Sequence, residues 1–181
     1  MTLEFRATIA SLMLYEERLN LRLASLTLKD VRELADWASR ALPEVDGLIC
    51  LPHASALGTA LGQLRGLPVV TAEFNTETGM LTLPPEDRRD RFLGRDLGLV
   101  TTHLQGGLPE LELCLRSVLP DLRVTQVITA VERTNAGGRA RLELQGVQVH
   151  AALLLADTPR GLVFERRFPT GEPSQSVPLR Y

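Results

Sequence analysis

Apolar residues fall on alternate positions near the start of the chain, at Leu3, Phe5, Ala7 and Ile9 and again at Leu19, Leu21 and Leu23. A period of two is that of strands, so residues 1–26 are expected to form a β-hairpin. Thr27 then has the chemistry of an N-cap, with Asp30 three residues on as its capping-box partner. Val31, Leu34, Ala35, Ala38 and Leu42 follow at helical spacing, and Pro43 ends that helix. Trp37 lies beside the apolar stripe and is expected to cover its edge.

Beyond Pro43 one rhythm repeats. The apolar run 45–51 predicts a buried strand, 52–66 a turn and a helix closed by Gly66, and 67–74 a second strand. Residues 75–96 lose periodicity and contain Pro84, Pro85 and the charged run 86–91. The run 97–104 predicts a third strand. Residues 105–121 read as a glycine turn and a helix with Pro109 in its first turn, where a missing amide costs little. Residues 123–132 predict a fourth strand, 133–146 a loop and short helix, and 147–157 a fifth strand. An edge strand over 161–168 and a tail complete the chain. Strands alternating with helices predict an α/β fold, a central mainly parallel sheet flanked by helices with right-handed crossovers. Ligands bind such sheets at the carboxyl ends of the strands, which gathers the loops 52–56, 75–96, 101–108 and 133–138 near one rim. The expected organisation is one domain over 1–181: an N-terminal hairpin or hood (1–26), a core (27–157), and a C-terminal strand and tail (158–181).

Composition narrows the function. With 181 residues the chain is long enough for one well-filled core. Hydrophobic residues make up 44% and charged residues 23%, which excludes a mostly disordered chain. The net charge of −2 offers no basic field for a phosphate backbone, so a nucleic-acid partner is not expected. No apolar run approaches the roughly 18–20 residues that span a bilayer, and the charged start does not read as a secretory leader. Cys50 and Cys114 both lie in apolar runs, too far apart for a paired metal motif, and read as buried free thiols suited to a reducing cytoplasm. Lys29 is the one lysine among 20 basic residues.

The stretch 97–154 is similar to the type I phosphoribosyltransferases, most of all to their orotate branch. The residues that carry this are Glu132-Arg133 at a strand end, the pair Gly137-Gly138, Leu142 in a short helix, and the strand Gly146-Val147-Gln148-Val149-His150. Upstream, 48–70 resembles the first strand, pyrophosphate loop, helix and second strand of that family in the same order. The resemblance covers roughly 28–156. It implies a Rossmann-like fold, a homodimer, and transfer of phosphoribosyl from phosphoribosyl pyrophosphate to a nucleobase. In the family's signature loop two adjacent acids bind the ribose hydroxyls. Backbone amides at a helix N-terminus cradle the 5′-phosphate.

The matching stretch here is Leu99-Val100-Thr101-Thr102-His103-Leu104-Gln105-Gly106-Gly107-Leu108. Thr101 and Thr102 stand where the acids would be. Hydrogen bonds to a charged group contribute roughly 1.5–3 kcal/mol each, so losing two removes about 3–6 kcal/mol of ligand discrimination. The pyrophosphate loop reads Pro52-His53-Ala54-Ser55, with side chains where backbone would approach the ligand. The segment after the second strand brings Glu73 rather than a cation. Arg88, Arg89, Arg91 and Arg95 are the substitutes available further along, although 86–91 reads first as a solvated face.

The candidate ligand-binding residues are therefore Thr101, Thr102, Gln105, Gly106, Gly107 and Leu108, with His53, Ala54 and Ser55. No catalytic residue is assigned. His103 reads as structural, with a general base as the alternative, and His150 reads as structural. Three scattered histidines form no metal motif. Two functional readings follow. One is an altered, catalytically impaired member that binds a phosphorylated small molecule or acts through a partner. The other is an active phosphoribosyltransferase of nucleotide synthesis or salvage, and only this one requires Mg²⁺. A purely structural, dimer-forming protein is the third.

Overall fold

The computed structural model describes residues 3–77, 80–82, 94–118 and 123–165. The charged run 86–91, with Arg88, Arg89 and Arg91, lies outside the described residues, as does the tail from 166.

The first expectation is corrected at once. Among the described residues of 1–26 there is no hairpin: α1 (Leu3–Leu12) and α2 (Glu16–Ala24) are helices. The reason lies in which alternate residues are buried. Phe5 and Ile9 are buried and Ala7 between them is exposed; Leu19 and Leu23 are buried and Leu21 is 70% exposed. Burial therefore recurs every four residues, one helical turn. Both pairs join the core. The next helix, α3 (Leu28–Ala41), follows its sequence signal. Thr27 accepts from the Asp30 amide, and the Asp30 carboxylate accepts the Thr27 amide at 3.0 Å. Trp37 is half-buried against the same core.

The main sheet has six strands. In chain order these are β1 (Gly47–Cys50), β2 (Val69–Thr71), β5 (Asp96–Leu104), β6 (Arg123–Arg133), β7 (Gln148–Thr158) and β8 (Gly161–Phe164). Their spatial order is β2-β1-β5-β6-β7-β8. All neighbours are parallel except β8, which turns back antiparallel on β7. This is the mainly parallel, helix-flanked sheet that the sequence rhythm predicts. The expected second strand is split. Ala72 still donates to the Cys50 carbonyl, but the chain then leaves the sheet. It forms β3 (Glu73–Asn75), which pairs antiparallel with β4 (Met80–Thr82).

Alternation along β1 sends Leu48 and Cys50 to one face and Ile49 and Leu51 to the other. The first face packs under α1, α2, α3 and α4 (Ser55–Arg65). The second packs under α5 (Leu108–Val118), through Leu113 and Cys114, and under the short α6 (Gly138–Glu143), through Leu142. Among the described residues no helix is long and apolar enough to cross a membrane. The turn Pro52–Ala54 after β1, the loop 105–107 after β5 and the turn Thr134–Ala136 after β6 lie at the carboxyl ends of parallel strands, as expected.

Candidate functional site

At that rim a cavity of about 440 Å³ opens between the β5–α5 loop and α2. Its floor is Thr102 and His103 at the end of β5, followed by Gln105, Gly106 and Gly107. Its side is His53 with the first turn of α5, and its roof is Asn20, Leu23 and Ala24 of α2.

The loop owes its shape to a meeting of two glycines from different turns. Gly107 has φ +71°, a left-handed conformation that disfavours any side chain. A Cβ on Gly138 would sit 2.2 Å from the Gln105 carbonyl oxygen and 3.0 Å from the Gly107 nitrogen. Gly107 and Gly138, one from each glycine pair, therefore pack back to back, and Arg141 of α6 donates to the Gly106 carbonyl. Both glycine pairs stand out in the sequence. Their contact with each other does not.

Electrostatics at the cavity are dominated by burial. Thr101 is fully buried behind the wall, and its hydroxyl meets His53 Nε2 at 3.2 Å. The carboxyl of Glu110, in the first turn of α5, lies close to the same hydroxyl. Glu110 is itself buried. Burial raises its pKa, against the opposing pull of its own amide and of Thr101. Burial lowers the His53 pKa. Burial, then the charges of Arg133 and His53, bring His103 down to about 4, against an opposing pull from Asp157. The His103 ring also meets the Gln105 amide at 3.2 Å. Thr102 is 1% exposed, and its Oγ1 has no hydrogen-bond partner among the described residues. A buried hydroxyl without a partner is costly unless something else supplies one.

The remaining sequence candidates divide. His53, Thr102, Gln105, Gly106, Gly107 and Leu108 all line the cavity. Thr101 is one layer behind it. Ala54 is fully buried in the core and Ser55 begins α4, so neither lines the cavity. Glu132 is 1% exposed and ion-paired to Arg139, which also donates to the Val149 carbonyl. Arg133 bridges Asp157 and Glu16 of α2. These two hold the rim together. His150 Nε2 donates to Gln126 Oε1 at 2.8 Å, a sheet contact away from the cavity.

Neither a protein-family model nor a curated protein matches the sequence. Solved structures do match the fold. UMP synthase from Leishmania donovani superposes with TM-score 0.58 at 17% identity over 74% of this chain, which spans 28% of that protein's length. Orotate phosphoribosyltransferase from Mycobacterium tuberculosis, solved with inorganic phosphate, gives TM-score 0.58 at 16% identity over 74% of this chain and 75% of the other. Adenine phosphoribosyltransferase from Trypanosoma brucei, solved with AMP, pyrophosphate and ribose-5-phosphate, gives TM-score 0.57 at 11% identity over 72% and 66%. The fold is that of the type I phosphoribosyltransferases.

On this phosphoribosyltransferase fold the cavity does not fit Mg²⁺. That ion takes carboxylate and water oxygens. The one carboxyl among the described lining residues, Glu110, is buried and lies beside the Thr101 hydroxyl. Among the described residues no three His, Cys, Asp or Glu side chains converge on a metal position. Two contributors were not foreseen from sequence. Asn20, Leu23 and Ala24 were hidden by the hairpin expectation. Arg141 carried no signal beyond lying in the short helix.

Proposed function

We propose that this chain uses a phosphoribosyltransferase-like fold to bind a phosphorylated small molecule, nucleotide or phosphoribosyl, and that it does not transfer phosphoribosyl. The observation that carries the reading is the pair Thr101 and Thr102. Thr102 is buried at the cavity floor and Thr101 one layer behind it; both are uncharged, and the Thr102 hydroxyl is still in need of a partner. A ligand oxygen at Gln105–Leu108 supplies that partner. The start of α5 offers backbone amides and about half a positive charge to the same oxygen. The fold neighbours solved with inorganic phosphate and with AMP and ribose-5-phosphate support a phosphorylated ligand for this rim. Without paired carboxylates there is nothing to hold ribose hydroxyls and metal together, so binding is independent of Mg²⁺.

Glu110 lowers the affinity, because its carboxyl already lies in the first turn of α5. Binding is therefore weak. A homodimer in a reducing, cytoplasmic setting completes the reading, with Cys50 and Cys114 as free buried thiols. The dimer rests on the likeness of fold, and a monomer mass by light scattering at tens of micromolar overturns it.

The deciding experiment combines thermal shift and an activity assay. Phosphate, ribose 5-phosphate, AMP and phosphoribosyl pyrophosphate are each added with and without Mg²⁺. Stabilisation without Mg²⁺ dependence is expected. No base-dependent pyrophosphate release is expected with adenine, hypoxanthine, guanine, xanthine, uracil or orotate. Steady turnover with any of these, lost on replacing Thr101 or Thr102, overturns the reading.

A further inference from the structure

A second cavity, of about 460 Å³, adjoins the first on the side away from α2. The two share His53, Leu108 and Pro109, so one ligand can reach both. Their chemistry differs. The first is floored by hydroxyls, an amide and backbone. The second is walled by Leu51 and Pro52 after β1 and by Phe74 and Leu81 of the β3–β4 pair. Phe74 and Leu81 face each other in register across that pair. Leu81 is 6% exposed, whereas Phe74 is 57% exposed, a large aromatic surface left open at the cavity wall.

Charge decides what this space accepts. Among the described residues neither lysine nor arginine lines it, and one carboxylate, Glu112, accepts the Leu81 amide at 3.3 Å. Among the described residues a pyrophosphate placed here would meet an acid and six apolar side chains, with no lysine or arginine beside it. An apolar cavity of about 150 Å³ already holds benzene. The volume here admits a larger ring system, and aromatic pairs contribute about 0.5–1.5 kcal/mol beyond the area they bury.

We infer that the second cavity binds a flat aromatic group of the same small ligand whose phosphorylated end lies at Gln105–Leu108. This rests on the reading above for the phosphorylated end and adds the ligand's other half. The ligand class is an aryl or heteroaryl monophosphate ester, and a diphosphate extending into the second cavity is disfavoured.

The test compares 2-naphthyl phosphate, inorganic phosphate, pyrophosphate and 2-naphthol by titration of backbone amide shifts. 2-Naphthyl phosphate is expected to bind at least tenfold more tightly than phosphate, with shifts at both Phe74–Leu81 and Gln105–Leu108. Pyrophosphate is expected to bind no more tightly than phosphate. Phe74→Ala removes most of the naphthyl gain and leaves phosphate affinity unchanged. Leu64→Ala, a half-exposed leucine on α4 outside both cavities, leaves both unchanged. Phe74 is largely exposed, so its replacement does not threaten the fold. Phosphate binding with no naphthyl gain, or a gain that survives Phe74→Ala, overturns the inference and spares the earlier reading. Binding of 2-naphthol at Phe74–Leu81 with phosphate silent upholds the aromatic site and overturns the phosphate reading instead.

Discussion

Glu110, in the first turn of α5, sets its carboxyl beside the Thr101 hydroxyl of β5, and both residues are buried. Thr101 also meets His53 at 3.2 Å, so a single hydroxyl lies between an imidazole and a carboxyl. A hydroxyl has one hydrogen to give and two lone pairs. It can pass its hydrogen to the carboxylate while accepting from His53, or pass it to His53 while accepting from a protonated Glu110. Both arrangements leave the three groups satisfied, and they differ in the charge at the start of α5.

The first prediction follows from that charge. Glu110→Gln keeps the size of the side chain and removes a negative charge from the helix terminus. Favourable helix-terminus electrostatics reach about 1–2 kcal/mol when partly buried, so phosphate should bind about five- to thirtyfold more tightly at neutral pH. Isothermal titration with inorganic phosphate measures this. Unchanged or weaker binding would show that the carboxyl does not compete for the terminus.

Titration of His103 gives the second. Its folded value near 4 lies below the unfolded 6.5. The folded state therefore binds fewer protons between those values, and stability rises with pH across that window. Stability from this group is complete above about pH 6.5 and is lost as pH falls towards 4. The contribution is on the order of 1–3 kcal/mol. Urea unfolding of His103→Gln against the parent, from pH 4 to 7, should show a flatter acid limb in the variant. Parallel limbs would remove His103 as a cause. Glu110 works in the opposite sense. Its raised value makes stability fall as pH climbs from 4.5, so Glu110→Gln should steepen the rise that His103→Gln flattens.

Gly138→Ala is the third. The added methyl meets the Gln105 carbonyl oxygen at 2.2 Å, and backbone cannot swing aside as a flexible side chain can. A loss of about 2–3 kcal/mol is expected. Phosphate shifts at Gln105–Leu108 should vanish with it. Gly146→Ala is the comparison, since a Cβ there meets nothing and only its φ of +76° is strained. It should cost less and leave phosphate binding intact.

The fourth concerns Arg133, which is 8% exposed and joins Asp157 to Glu16. Arg133→Met keeps the stem and drops the charge. Asp157 and Glu16 keep solvent access, so the cost is moderate, about 1–2 kcal/mol. Amide exchange should quicken in α2 more than in α3. Equal quickening in both would indicate a general loss of stability instead of a loosened α2.

Several of these elements could be read before any coordinates. Thr27 and Asp30 announce a helix start because a capping box is local chemistry. Leu48 to Leu51 announce a buried parallel strand because apolar residues in succession need two covered faces. The start of the chain misled because Leu19, Leu21 and Leu23 satisfy a strand period while only the first and last are buried. Which leucine faces the core is decided by what packs there, and β5, which meets α2, lies far along the sequence. The β3–β4 pair is three residues a side, too short for any period to register. Glu110 looks like an ordinary acid in a first helical turn. Its burial depends on β5 and its Thr101, which reach it only after the sheet has formed.

Glu16 and Arg133 stand 117 residues apart, and the cavity they help close takes its roof from one end of the chain and its floor from the middle. A shortened chain lacking 1–26 could keep the parallel sheet and still have an open trough in place of a cavity. Any ligand that prefers the roofed form must then hold α2 down by mass action. Occupancy of the site becomes a report on whether the N-terminal helices are seated. Protease resistance of α2 should accordingly climb with ligand concentration, while the distant β7–β8 edge stays as it was.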